Sequence, residues 1–168
     1  VERARRHRSD VALQGDARVF GLDFVWKYDS SPAYGRKDFT FQAEYLRRVR
    51  DLEVVAQGEV PQEPRVPVEA TQDGLYAQAV YGVLARWTVG LRWDAMGLTN
   101  RIRRGAERQE LQASTRYSAN LTFNPTEFSR LRAQFDHGAL DVAGVRETYN
   151  QFFLQFQMSL GAHGAHRF

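Results

Sequence analysis

The feature that most constrains this chain is a two-residue alternation near its C-terminus. Phe152, Leu154, Phe156, Met158 and Leu160 alternate with Phe153, Gln155, Gln157 and Ser159, and the same parity runs on to Phe168. Successive side chains of a strand point to opposite faces, so this period predicts a strand with one apolar and one mainly polar face.

The pattern recurs along the chain. Phe20, Leu22, Phe24, Trp26 and Tyr28 oppose Gly21, Asp23, Val25 and Lys27. After a turn with Ser30, Ser31, Pro32 and Gly35, Phe39, Phe41, Ala43 and Tyr45 oppose Thr40, Gln42, Glu44 and Leu46. A third strand sets Leu75, Ala77, Ala79 and Tyr81 against Tyr76, Gln78 and Val80. A tight connection near 84–86 leads to a fourth, with Trp87, Val89, Leu91 and Trp93 opposite Thr88, Gly90, Arg92 and Asp94. The fifth presents Tyr117, Ala119, Leu121 and Phe123, the sixth Leu131, Ala133 and Phe135, with a short turn at Asn124, Pro125, Thr126 and Glu127 between them. About seven strands are visible. Three stretches without alternation are expected to be long loops: 50–73, with Pro61, Pro64 and Pro67; 97–112, with room for a short helical turn; and 137–147.

With 168 residues the chain suffices for one domain. No run approaches the roughly 18 apolar residues of a transmembrane helix, so a helical membrane protein is excluded, whereas a β-barrel hides its apolarity by alternation. There is no Cys, which excludes disulfides and thiolate metal sites. The net charge is +3, and Lys occurs only at Lys27 and Lys37, so the cations are nearly all Arg. They are spread among acids instead of forming a basic stripe, which argues against nucleic acid as a partner.

Connections alternating short and long, with Trp and Tyr near strand ends, match an antiparallel up-and-down transmembrane β-barrel of the bacterial outer membrane, with short periplasmic turns and longer extracellular loops. A soluble ligand-binding β-barrel of opposite sign is the alternative, because parity alone leaves the outer face open. An odd strand count with a periplasmic C-terminus places Val1 on the other side, so at least one further strand is expected upstream. Residues 1–168 are then the C-terminal part of one larger barrel domain.

The segments Tyr117-Ser118-Ala119-Asn120-Leu121-Thr122-Phe123-Asn124-Pro125, Glu127-Phe128-Ser129-Arg130-Leu131-Arg132 and Phe153-Leu154-Gln155-Phe156, with the closing 159–168, resemble the C-terminal barrel of Gram-negative outer-membrane proteins of the zinc-regulated TonB-dependent receptor or porin-like type. Tyr76-Ala77-Gln78 and Gly90-Leu91-Arg92-Trp93-Asp94 extend the similarity. It implies a pore or receptor for uptake of a small solute, with metal among the substrates. It further implies outer-membrane lipids, lipopolysaccharide and the barrel assembly machinery as partners, and the TonB system if uptake is energised.

Polar parity nominates Glu44, Arg48, Gln78, Arg92, Asp94, Arg116, Asn120, Arg132 and Gln134 as lumen-facing, with Asp23, Lys27, Gln42, Gln155 and Gln157 beside them. In a channel they set charge selectivity; in a filled barrel they form cross-strand pairs that only stabilise it. Arg47 has apolar parity at the outer end of its strand, where lipopolysaccharide phosphates would compensate its charge. Phe168 is the expected assembly signal. His163 and His166 are the metal candidates, but three residues apart in a strand they point to opposite faces, so no metal or other cofactor is expected. No Gly-x-Ser-x-Gly or His-Glu-x-x-His motif occurs, and Ser129, Asp136 and His137 make no compelling catalytic set. An enzyme is therefore not expected. A structural, adhesive or lipid-modifying barrel stays as the alternative function.

Overall fold

A computed structural model describes residues 11–56, 67–110, 112–142 and 144–159. They form one antiparallel sheet of nine strands: β1 (Val11–Tyr28), β2 (Phe39–Ala56), β3 (Pro67–Leu84), β4 (Trp87–Met96), β5 (Arg101–Arg104), β6 (Glu107–Glu110), β7 (Ser114–Thr126), β8 (Ser129–Val142) and β9 (Val145–Met158). Seven follow the path β1-β2-β3-β4-β7-β8-β9, while β5 pairs with β3 and β6. The chain is thus all-β and up-and-down, and among the described residues the sheet is open, with β1 and β9 at its edges. Among the described residues no helix is long and apolar enough to cross a membrane.

The register joins the apolar stripes into one continuous face. Trp26 pairs with Phe41, Phe41 with Ala79, Ala79 with Leu91, Leu91 with Ala119, Ala119 with Phe135, and Phe135 with Phe152. A one-residue slip in any pair would turn a whole strand over, so the shared apolar parity fixes the register. Aromatic contacts tie neighbouring strands together on this face: Trp26 meets Phe39 edge to face at 5.5 Å, and Trp87 stacks on Phe123 at 4.5 Å.

All three expected loops are corrected. β2 continues to Ala56 and β3 begins at Pro67, so much of 50–73 is paired strand, with Pro67 at a strand start where a missing N–H is tolerated. The second is neither loop nor helix. β5 continues the line of β4 along β3, pairing Thr71 with Arg101 and Val68 with Arg104, and β6 folds back on β5 through Gly105 and Ala106. The third is strand as well: β8 pairs with β9 as far as Val142 and Val145. The reason is common to all three. Beyond the stripe apolar and polar residues no longer keep to separate faces, so alternation vanishes while backbone pairing continues.

Among the described residues the asymmetry between the two ends is therefore one of overshoot. At one end the strands stop at the stripe and the turns are knitted together: Lys37 N donates to Gly82 O (2.7 Å), Gly82 N to Asp38 O (2.8 Å), Arg86 N to Tyr34 O (3.0 Å) and Asn124 N to Arg86 O (2.9 Å). At the other end polar extensions project past it.

Candidate functional site

Burial is inverted relative to a water-soluble sheet. On the polar face Asp136 is 2% and Thr122 3% exposed, whereas on the opposite face Leu22 is 74%, Leu91 64% and Leu154 77% exposed and the covered residues are the small Ala95 and Ala139 and the polar Thr71 and Asp73. In a single sheet, side chains are covered only by neighbours on their own face, so greater covering of the polar face means that the sheet curls around it. One cavity of about 390 Å³ accords with this: Glu44 and Leu46 of β2 line it together with Leu140 of β8 and Tyr149 of β9.

Register rows order the polar face. A central charged row runs Asp23, Glu44, Tyr76, Asp94, Arg116, Gly138, Tyr149. Below it lie Gln42, Gln78, Arg92, Ser118, Asp136 and Gln151, then Gly90, Asn120, Gln134 and Phe153, then Thr122, Arg132 and Gln155. All nine residues nominated for the lumen share this face, with Arg48 above the charged row opposite Gln72.

A connected network crosses the centre. Arg92 grips Asp94 through Nε (2.9 Å) and Nη2 (2.7 Å), and Arg116 Nε donates to the same carboxylate at 3.2 Å. The Arg92 guanidinium lies 4.1 Å above the Tyr76 ring, while Gln42 Nε2 donates to the Tyr76 hydroxyl at 2.7 Å. Half-exposed ion pairs contribute little net stability, on the order of 0–1 kcal/mol each. What the bidentate grip and the ring face do is fix where Arg92 sits. Lower down, Arg132 Nε donates to Thr122 Oγ1 (3.0 Å) and Gln134 Nε2 to Asp136 Oδ1 (2.9 Å). Asp23 and Glu44 stand directly opposite each other on β1 and β2, while Arg116 and Arg132 on β7 and β8 share their side of the face with Asp136.

Sequence reasoning missed Asp73. This carboxylate, 6% exposed, accepts from Thr99 N (3.1 Å to each oxygen), Thr99 Oγ1 (2.7 Å) and Tyr45 OH (3.3 Å), and so pins the Gly97–Asn100 turn from which the β5–β6 hairpin springs. Its partners lie more than 25 residues away, and no local signal marks it.

Ser129, Asp136 and His137 do not assemble. Asp136 and His137 point to opposite faces of β8, His137 Nδ1 contacts Asn150 Oδ1, and Ser129 bonds Thr126 at the other end of the strand. Among the described residues no three His, Cys, Asp or Glu side chains come together as a metal site. His163, His166 and Phe168 lie outside the described residues.

The apolar face is the complementary observation. Burying one large apolar side chain stabilises by roughly 1.5–3 kcal/mol. Leaving Leu22, Phe24, Trp26, Leu91, Leu121, Phe135, Phe152, Leu154 and Phe156 in water therefore forgoes on the order of tens of kcal/mol, more than the whole net stability of a typical domain, about 5–15 kcal/mol. A patch this wide needs an apolar neighbour.

The chain is 32% identical over 160 residues to an uncharacterized protein of Aquifex aeolicus (strain VF5). The match takes in 94% of this chain and 32% of the relative, so the chain spans about a third of that protein's length. No family model matches, and neither does any solved structure.

Proposed function

We propose that this chain is part of the wall of a larger outer-membrane β-barrel, and that its concave polar face lines a passage for a small solute. The observation that carries this reading is the inverted burial: polar side chains inside the curl, a register-aligned apolar face outside. A soluble barrel has the opposite sign. The β1 stripe from Phe20 to Tyr28 covers eight residue steps, about 27 Å along the strand and roughly 20 Å along the normal at the usual tilt, close to the ~25 Å apolar band of such barrels. Aromatic residues gather near both limits of the stripe, Tyr28, Phe39, Trp87 and Phe123 at the knitted end and Tyr45, Trp93 and Tyr117 at the other, as interfacial girdles do.

The passage is lined by both signs of charge, with Glu44, Asp94 and Asp136 facing Arg92, Arg116 and Arg132, so selectivity by charge alone is weak. A pore or receptor follows from this reading, with lipopolysaccharide around it and the barrel assembly machinery inserting it. Energised uptake through TonB and a metal-related solute come only from the sequence resemblance. The test is insertion of the full-length protein into phospholipid vesicles, followed by planar-bilayer conductance. Leu91→Asp and Leu121→Asp place a charge mid-stripe and cost a few kcal/mol at the bilayer midplane, so insertion falls for both. Normal insertion of both variants would overturn the reading.

A further inference from the structure

Arg47 breaks the pattern of the apolar face. It carries that face's parity, pairs with Phe20 on one side and Asp73 on the other, and stands one step beyond Tyr45 and Leu75, in the row where only Phe20 of β1 still belongs to the stripe. Its Nε is covered and has no hydrogen-bond partner. Asp73, the acid directly across from it, is already committed to Thr99 and Tyr45, and Asp51, further along its own strand, is held by Arg18 at 2.8 Å. Covering a cationic donor without a partner is costly, so an anion from outside the described residues has a place here.

A second observation lies below it on the same face. A groove of about 420 Å³ runs across β3, β4 and β7, with Ala77, Ala79 and Ala119 low in it and Phe41, Leu91, Trp93 and Phe135 standing around them. On the β3 side of Leu91, Ala77 and Ala79 leave a hollow beside the Phe41 ring. Asp73, opposite Arg47, is four residues along β3 from Ala77, about 13 Å. That separation matches an anionic headgroup at Arg47 whose ester-linked chain reaches the hollow.

We infer that Arg47 and the alanine-floored groove together bind one phosphorylated, acylated lipid of the outer leaflet, phosphate at Arg47 and acyl chain over Ala77 and Ala79. The inference rests on the membrane-wall reading. Charge complementarity decides the headgroup: a guanidinium that forms no ion pair among the described residues, at the edge of an apolar face, selects an anionic lipid over a zwitterionic one.

The test uses the full-length protein in detergent with two fluorescent probes of equal chain length, a phosphatidic acid and a phosphatidylcholine. The phosphatidic acid binds at least tenfold more tightly, Arg47→Gln abolishes that preference, and Ala79→Phe weakens both probes by filling the hollow. Millimolar inorganic phosphate does not displace the lipid; displacement would show a free-phosphate site and overturn the inference. Equal affinity for the two probes, or an unchanged preference in Arg47→Gln, would also overturn it. Arg47→Lys, which keeps the charge and is expected to retain part of the preference, guards against a fold defect in the Gln variant. Insertion into vesicles is scored on the same samples. A protein that inserts but does not discriminate headgroups refutes the lipid site alone, whereas one that fails to insert refutes the wall itself.

Discussion

Replacing Asp73 with Ala should loosen the β5–β6 hairpin and leave the rest of the sheet in place. The carboxylate accepts three bonds from Thr99, by its amide to both oxygens and by its hydroxyl at 2.7 Å, and a longer one from Tyr45. A hydrogen bond to a charged group contributes about 1.5–3 kcal/mol net, and Thr99, on the surface, recovers part of this from water. The expected local loss is about 3 kcal/mol, roughly a hundredfold in the opening equilibrium. Gly97 N to Asp73 O is a backbone bond and survives the substitution, which confines the effect to the turn and what hangs from it. Amide hydrogen exchange reads this directly: β5 and β6 should exchange about a hundred times faster, β8 at an unchanged rate. Asp73→Asn keeps one acceptor and should fall between. Equal acceleration in β8 would mean that Asp73 supports the whole sheet, and no acceleration in β5 and β6 would refute its role as the anchor.

Three further outcomes are expected, the first two from the geometry and the third from the C-terminal sequence pattern. Gly82→Ala drives a Cβ into Gly35 O, a backbone atom held by the turn's own hydrogen bonds, so denaturant unfolding should show a loss of about 1–3 kcal/mol or more; an unchanged midpoint would contradict the close approach. The double variant Arg92→Glu and Arg132→Glu should move the reversal potential in a salt gradient toward cation preference, and no shift would mean that these side chains do not border the conducting path. Deleting Phe168 should reduce outer-membrane assembly in cells far more than refolding in detergent, whereas equal effects would make it a packing residue only.

The strand cores and their register parity were legible because one face of each is apolar, and a period of two survives wherever that holds. Phe39 to Tyr45 and Trp87 to Trp93 are read correctly for this reason. Residues 47–56, 67–73, 101–110 and 137–148 were not, because the sheet there continues on backbone pairing without one apolar face, with bonds such as those of Arg48 and Arg50 to Gln72. The shared face of Arg92, Asp94 and Arg116 was legible from parity. The Arg116 bond to Asp94 and the Tyr76 platform were not, since they depend on the register between β3, β4 and β7. Asp73 was invisible for the same reason: its partners are on β2 and in the turn after β4.

The most direct test of the inside-out sheet uses the absence of native cysteine. Single Cys substitutions along β4 and β7, at Gly90, Leu91, Arg92, Asn120, Leu121 and Thr122, are spin-labelled after insertion of the full-length protein into vesicles, and collision with oxygen and with a water-soluble nickel complex is measured at each. Labels at 91 and 121 should collide mainly with oxygen, dissolved in the hydrocarbon, and labels at 90, 92, 120 and 122 with the nickel complex. The opposite phase, or no alternation along either strand, would contradict the account.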